Sequence, residues 1–236
     1  MKKLNKIRLP LDIMMTLVSI VLMGGNFLFP AEIVHEILGV GFFILWSVHI
    51  FLNRRWYASL AQASKLITST NANDRRSYGA IFKGKYNPYR IMQTVINCCI
   101  LICTIFLMIS GIILSNQLFT FLNIQSGLGF ARIAHLISSH WYYLFMSLHI
   151  GLHMGRLLQN VAAKILPRIL LVLVCAYGLY AFIARGVWKY LILKQQFFFF
   201  DVERGYVLFA MDYISIIILF AVVSRLVAAS FKRRCD

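Results

Sequence analysis

The fold is decided by the stretch at residues 131–155, ARIAHLISSHWYYLFMSLHIGLHMG, a long apolar segment that carries four histidines. Two further histidines, His35 and His49, lie in an earlier apolar segment, and these six are all the histidines of the chain. Imidazoles inside a segment of membrane length cost free energy unless something binds them. The two segments therefore predict membrane helices whose histidines hold a ligand.

The composition places the whole chain among membrane proteins. Of its 236 residues 60% are hydrophobic and only 14% are charged, with a mean hydropathy of +0.75. A soluble domain is about 45–50% apolar and about 25% charged. The net charge of +16 gathers in loops and tails between apolar runs. This is the pattern of cytoplasmic loops in membrane proteins, and it argues against nucleic-acid binding.

Apolar windows of about 20 residues predict an all-α, polytopic membrane bundle of six transmembrane helices in one domain, residues 1–236. The predicted spans are Leu11–Phe29, Ile33–Leu52, Ile91–Leu114, Ala131–Leu158, Ile169–Ile183 and Tyr206–Ala228. The first has the basic start of a signal peptide but no clear Ala-x-Ala site, so we expect it to be retained. The run Phe197–Phe200 is expected at the membrane interface.

The loop charges predict the orientation of these spans. Most basic residues fall on one side if both termini are cytoplasmic, as the positive-inside rule requires. The fifth loop is an exception to the rule, because it carries Arg185, Lys189, Lys194 and Arg204. In this orientation His35 and His135 lie near the outer face, whereas His49 and His149 lie near the cytoplasmic face.

Two of the predicted helices share one histidine spacing. Fourteen residues separate His35 from His49, and fourteen separate His135 from His149. In an α-helix this spacing covers about 21 Å and returns the second imidazole to within about 40° of the first. Two such helices entering from the same side offer one histidine pair near each membrane face. The spacing predicts that these helices hold two stacked haems, each with two axial histidines. We interpret the bundle as a four-helix haem core with two accessory helices.

The predicted haems are of the b type, bound without covalent links, because the chain has no Cys-x-x-Cys-His motif. Bis-histidine ligation leaves no open coordination position, which suits electron transfer across the bilayer. Arg132, three residues before His135, is expected beside a propionate of the outer haem. Arg54 and Arg55 occupy the matching inner position, with an interfacial anchoring role as the alternative.

The fourth predicted helix has more histidines than two haems need. His140 points about 140° away from His135, so we expect it to pack or hydrogen-bond rather than to ligate. His153 shares the face of His135 but lies about 27 Å along the helix, which overshoots the partner spacing. We therefore prefer His149 as the inner ligand, with His153 as the competing ligand, a haem neighbour or a quinone-site residue.

Other chemistries fit these segments less well. A non-haem metal would need histidines and carboxylates clustered at one depth. A proton-coupled transporter would need carboxylates deep in the membrane, whereas Asp12, Glu36 and Asp212 lie near span ends. A haem-free transporter or assembly subunit that uses the histidines is kept as the alternative function. Five glycines either admit a flat macrocycle or serve ordinary helix packing: Gly39, Gly41, Gly111, Gly151 and Gly155.

The histidine-bearing segments resemble the flavinylation-associated cytochrome family, bacterial membrane proteins that form a branch of the di-haem b-type cytochromes. The likeness rests on Val34–Trp56, with its His-Glu-x-x-Gly start and His-x-x-x-Asn-Arg-x-Trp end, and on the His-x-Gly-x-His at 149–153. It extends to LDIMMTLVSIVLMGG at 11–25 and to YGLYAFIARGVWKYLILKQQFFFFD at 177–201.

This resemblance implies a protein of the bacterial cytoplasmic membrane that passes electrons between a quinol or cytoplasmic reductant and a partner with covalently attached flavin. Its implied site residues are His35, His49, His135, His149 and, within the motif, His153. At position 140 the family pattern leads us to expect an aromatic residue such as tyrosine, so His140 departs from it.

Overall fold

The computed structural model describes residues 2–25, 31–58, 88–198 and 205–233. Within these ranges the chain is helical and no strand occurs. The described helices are α1 (Lys2–Met23), α2 (Glu32–Leu52), α3 (Pro88–Leu114), α4 (Leu128–His153), α5 (Gly155–Ala163), α6 (Ile165–Ala184), α7 (Val187–Leu191) and α8 (Gly205–Arg233). A single 3₁₀ turn at Thr120–Leu122 lies in the connection from α3 to α4. The all-α prediction is confirmed.

Four of the described helices are long and apolar enough to cross a membrane: α2 over Ile33–Leu52, α3, α6, and α8 over Gly205–Phe231. Their mean hydropathies lie between 1.7 and 2.5, so the membrane class is confirmed. The other two long helices, α1 and α4, have 22 and 26 residues, which is a spanning length. They are not among these four apolar helices, and in α4 the histidines and serines lower the mean hydropathy.

Two of the predicted spans extend past the end of the helix that contains them. The first predicted span ended at Phe29, whereas α1 ends at Met23, and residues 26–30 lie outside the described part. The fourth was predicted to run through Leu158, but α4 ends at His153 and α5 starts at Gly155. Gly155 follows directly after the interruption, and a glycine inside a continuous helix would cost about 1 kcal/mol relative to alanine. Gly155 also faces the guanidinium of Arg225, where a Cβ would lie 3.1 Å from its Cζ.

Helix α4 is the centre of the bundle. It packs along α3 on one side and along α8 on another, while α8 also packs on α6 and α2 packs on α1 and α3. Two glycines permit the closest approaches, because Gly151 of α4 lies against the backbone of Ala221 and Gly178 of α6 lies against that of Ser215. The buried Tyr143 donates a hydrogen bond from its hydroxyl to the carbonyl of Tyr213, which ties α4 to α8.

The outer surface of the bundle is apolar, as lipid contact requires. On α6 the side chains of Leu170, Val172, Leu173 and Ile183 are each at least 60% exposed. Between α6 and α8 a buried ion pair joins Arg185 to Asp212, with Nε to Oδ2 at 2.7 Å, and the hydroxyl of Tyr177 also donates to Asp212. This ion pair thus lies inside the bundle, whereas these outward-facing side chains of α6 are hydrocarbon.

Candidate functional site

Two histidine pairs connect α2 with α4. The ring centroids of His35 and His135 lie 6.4 Å apart, and those of His49 and His149 lie 6.5 Å apart. The pairs form because α2 and α4 run in the same direction, so equal spacing along each helix matches the rings in depth. The structure therefore brings together the four residues that the sequence spacing paired.

At the His35–His135 pair, one ring is anchored by α3. The hydroxyl of Ser110 donates to the carbonyl of Phe106 at 2.6 Å, so its oxygen accepts from Nδ1–H of His135 at 3.0 Å. A Cβ at Gly111 would lie 3.7 Å from Cε1 of His135, in ordinary contact. The Nδ1 atom of His35 is buried and has no hydrogen-bond partner among the described residues.

At the His49–His149 pair, both rings are anchored through Nδ1. His49 donates to Oδ1 of Asp12 on α1 at 2.8 Å, and His149 donates to Oδ1 of Asn97 on α3 at 2.8 Å. The amide of Asn53 donates to Nε2 of His49 at 3.3 Å and to its carbonyl at 2.9 Å. Both ring nitrogens of His49 thus form hydrogen bonds, and its Nδ1–H donates to a carboxylate.

The third histidine at this end, His153, is held differently. Its ring centroid lies 4.5 Å from that of His149, and its Nε2 accepts from the amide of Gln93 at 3.4 Å. The ring that faces His49 across the gap is that of His149. This geometry favours His149 as the partner of His49 and makes His153 its neighbour.

A cavity of about 540 Å³ adjoins the His35–His135 pair. Cavities that hold cofactors or drug-sized ligands have volumes of about 300–1,000 Å³. Its wall includes both histidines, Gly39 of α2 and Arg132 at the start of α4. Among the described residues, no atom beyond the neighbouring backbone of α2 itself lies within 4 Å of the Cβ position of Gly39, so this part of α2 faces open space.

The segment after α7 also reaches this cavity. Gln196, Phe197 and Phe198 contribute to its wall. The sequence placed Phe197–Phe200 at the membrane interface; Phe197 is 60% exposed and also lines the cavity, whereas residues 199–200 lie outside the described part.

The separation of the rings can be tested against that of a metal-binding pair. A first-row metal ion bound by imidazole lies about 2.0–2.1 Å from the ligating nitrogen. Ring bonds of about 1.33 Å put the ring centre about 1.13 Å beyond that nitrogen, so opposed ligands have centroids about 6.3–6.5 Å apart. Both observed pairs fall in this range. Two aromatic rings in direct edge-to-face contact also have centroid separations in this range. A metal-binding pair and a packed pair therefore share this separation, and the hydrogen bonds to the rings must decide between them.

The hydrogen bonds to Nδ1 favour the ligand interpretation. A metal-binding histidine commonly donates its second ring N–H to a carboxylate, an amide oxygen or a similar acceptor, which fixes the tautomer and leaves Nε2 for the metal. His49, His135 and His149 each have Nδ1 on an oxygen in this way. A metal at His49 would displace the 3.3 Å contact from the amide of Asn53 to Nε2. The residues present therefore fit a bis-imidazole group at both pairs, and the cavity beside His35 and His135 has room for a large cofactor.

The arginines predicted beside propionates occupy different environments. Arg132 is exposed and lines the cavity, where its charge can meet an anionic group. Arg54 lies over the ring of Phe51, 4.3 Å from its centroid, and donates to the carbonyl of that residue at 3.2 Å. The structure thus favours the anchoring role for Arg54, while Arg55 is exposed at the end of the same segment.

His140 has a packing environment. Its ring stacks on that of Tyr190 with centroids 4.2 Å apart, its Nδ1–H donates to the carbonyl of Leu136 at 2.8 Å, and its surface is 1% exposed. Of the five glycines, Gly151 and Gly155 serve contacts with α8, whereas Gly39 and Gly41 face open space.

Sequence reasoning missed the residues that hold the histidine rings. Asn97 and Ser110 lie in the most apolar of the candidate spans, and Asp12 was noted only as a carboxylate near a span end. A buried polar group without a hydrogen-bond partner is costly, so isolated polar residues in α3 were the available signal. Which of them meets which histidine depends on helix packing.

No protein-family model, curated protein or solved structure matches this chain. Among the described residues, no group of three or more His, Cys, Asp or Glu side chains has the arrangement of a metal site. The two-ligand pairs are therefore the candidate functional site of this molecule.

Proposed function

We propose that this protein is a membrane cytochrome that holds two b-type haems and carries electrons across the bilayer. The observation that supports it is the paired geometry: two histidine pairs, each at the ring separation of opposed metal ligands, with Nδ1 anchored on three of the four rings. The resemblance to flavinylation-associated cytochromes points to the same function.

The chain's own residues have defined tasks in this proposal. His35 and His135 hold one haem and His49 and His149 the other, while the α3 and α1 acceptors fix the tautomer of the ligands. A bound haem supplies reversible one-electron chemistry, and two axial histidines leave no open position for a substrate. Arg132 offers a positive charge for a propionate at the cavity wall.

We further propose six transmembrane helices in a bacterial cytoplasmic membrane, with both termini cytoplasmic. Helices α1 and α4 complete the six, because α4 packs between α3 and α8, and its Ser138, His140 and Ser147 are buried. The His35–His135 pair then lies near the outer face. The electron donor is a quinol or a cytoplasmic reductant, and the outer acceptor is a flavin-bearing protein, as the resemblance suggests.

The test is the optical spectrum of the purified protein with bound cofactor, oxidised and then reduced with dithionite. We expect Soret and α bands of a b-type haem and two haems per chain. His35→Ala and His149→Ala should each remove one haem, whereas His140→Ala should keep both. Absence of haem bands would overturn the proposal and leave the haem-free transporter or assembly subunit. Loss of a haem in His153→Ala but not in His149→Ala would overturn the ligand assignment at that site.

A further inference from the structure

The two histidine pairs differ in the acceptors that their rings use. His49 donates to the carboxylate of Asp12 at 2.8 Å, and its partner His149 donates to the amide oxygen of Asn97. At the other pair, His135 donates to the hydroxyl oxygen of Ser110 at 3.0 Å, and Nδ1 of His35 has no partner among the described residues. Within the described part of the chain, the His49–His149 pair therefore has a ligand hydrogen-bonded directly to a carboxylate, and the His35–His135 pair does not.

A carboxylate that accepts from a ligating imidazole makes that ligand more basic. A more basic ligand and a nearby negative charge both stabilise the oxidised metal, which carries one more positive charge than the reduced metal. Hydrogen bonding around the ligands is one of the means by which a protein sets a haem potential. The Asp12 contact therefore lowers the reduction potential of the site that contains His49.

The other pair also has a nearby carboxylate, but this carboxylate accepts its hydrogen bonds from the connection after α3 and not from a histidine. Glu36 lines the cavity beside His35, yet its oxygens accept from the hydroxyl of Ser115 at 2.6 Å and from the backbone N–H groups of Asn116 and Leu118 at 2.9 and 2.8 Å. Its charge remains, but it is turned toward these three donors, and the positive Arg132 lines the same cavity. Glu36 holds the connection after α3 against α2 and accepts from neither imidazole.

The space between the two pairs is filled by a packed aromatic contact. Phe42 is seven residues from both His35 and His49, and Tyr142 is seven residues from both His135 and His149. Their rings meet edge to face with centroids 5.6 Å apart, and each side chain is 7% exposed. These two rings therefore lie between the sites, in the wall of the cavity that adjoins His35 and His135.

From these contacts we infer that the His49–His149 site has the lower reduction potential and the His35–His135 site the higher, so that electrons pass downhill from the first to the second. The inference rests on the proposed haem function. In the step, the His49–His149 site is oxidised by one electron and the His35–His135 site is reduced by one. No bond breaks and no proton moves between the two sites. A quinol or a cytoplasmic reductant at the first site replaces the electron; a quinol gives up two electrons, one after the other, and releases two protons.

The test is a spectroelectrochemical titration of the haem-loaded protein and of Asp12→Asn. Asparagine keeps an acceptor oxygen for His49 but removes the charge, so only the electrostatic contribution is lost. We expect the reduced-to-oxidised ratio of the lower-potential haem, at fixed applied potential, to rise at least tenfold, equivalent to 59 mV for one electron. The higher-potential haem should change by less than twofold, and Asp12→Glu should restore the original value.

The matched control is Ser110→Ala, which removes the neutral acceptor at the other pair and should affect the higher-potential haem alone. In the titration of His35→Ala, the redox transition that is missing belongs to the His35–His135 site, and the one that remains belongs to the His49–His149 site. An unchanged lower wave in Asp12→Asn, or a His35→Ala protein that retains only the higher wave, would overturn the inference with the haem proposal intact. A protein without haem bands would instead show that the proposed function itself is wrong.

Discussion

Gly151 is the position where helix packing and the candidate site are most closely coupled. It lies two residues after His149, and a Cβ there would come within 2.1 Å of the backbone oxygen of Ala221 on α8. Ordinary contact begins near 3.4 Å, so Gly151→Ala requires α4 and α8 to move apart by about 1.3 Å at this level. Overpacking of this kind costs about 1–3 kcal/mol.

The displacement also acts on the neighbouring ligand. The hydrogen bond from His149 to Asn97 is 2.8 Å long, and such bonds rarely exceed about 3.2 Å. Because α4 packs between α3 and α8, it cannot move against α8 without changing its contacts with α3. We therefore expect Gly151→Ala to lower the unfolding temperature in detergent and to lower the occupancy of the haem at the His49–His149 site.

Gly178→Ala is the matched control for this prediction. Its Cβ would lie 2.4 Å from the backbone oxygen of Ser215, so a similar clash arises between α6 and α8, on helices that carry no histidine. We expect a comparable loss of thermal stability with full haem content. A Gly151→Ala protein with unchanged stability and two haems would refute the close-packing argument. Equal haem loss in both variants would refute the claim that the displacement at Gly151 acts specifically on the nearby His149.

Three further predictions concern residues outside the histidine pairs. Asp212→Asn should lower the free energy of unfolding by about 3–5 kcal/mol because it leaves the buried Arg185 charge unpaired. The double variant with Arg185→Met should recover most of that loss, measured by thermal unfolding. A double variant without this recovery would contradict the argument. His140→Phe should keep both haems and the stacking on Tyr190, measured by haem content and melting, and haem loss would show that His140 has a ligand role. Glu36→Gln weakens three hydrogen bonds to the connection after α3, so we expect faster proteolysis there, with Glu36→Asp as the control; an unchanged cleavage rate would contradict the anchoring role.

The spans could be predicted because membrane helices are specified by local composition. The predicted spans at Ile33–Leu52 and Ile91–Leu114 end at the same residues as α2 and α3, since twenty apolar residues in sequence have no soluble alternative. The end of α4 was wrong by five residues, because the apolar pattern continues past His153. The interruption lies at Met154, next to Gly155, which contacts the guanidinium of Arg225, 70 residues away.

The sequence by itself determined the membrane class and the matched spacing of His35 with His49 and of His135 with His149, because both follow from the rise and turn of a single helix. Only the tertiary structure decided what holds those rings. The anchoring contacts to Asp12, Asn97 and Ser110 join residues 37, 52 and 25 positions from their histidines. A polar side chain in an apolar helix must find a partner, but the rotation and depth of the neighbouring helix select which partner it meets, and those are set by packing around α4.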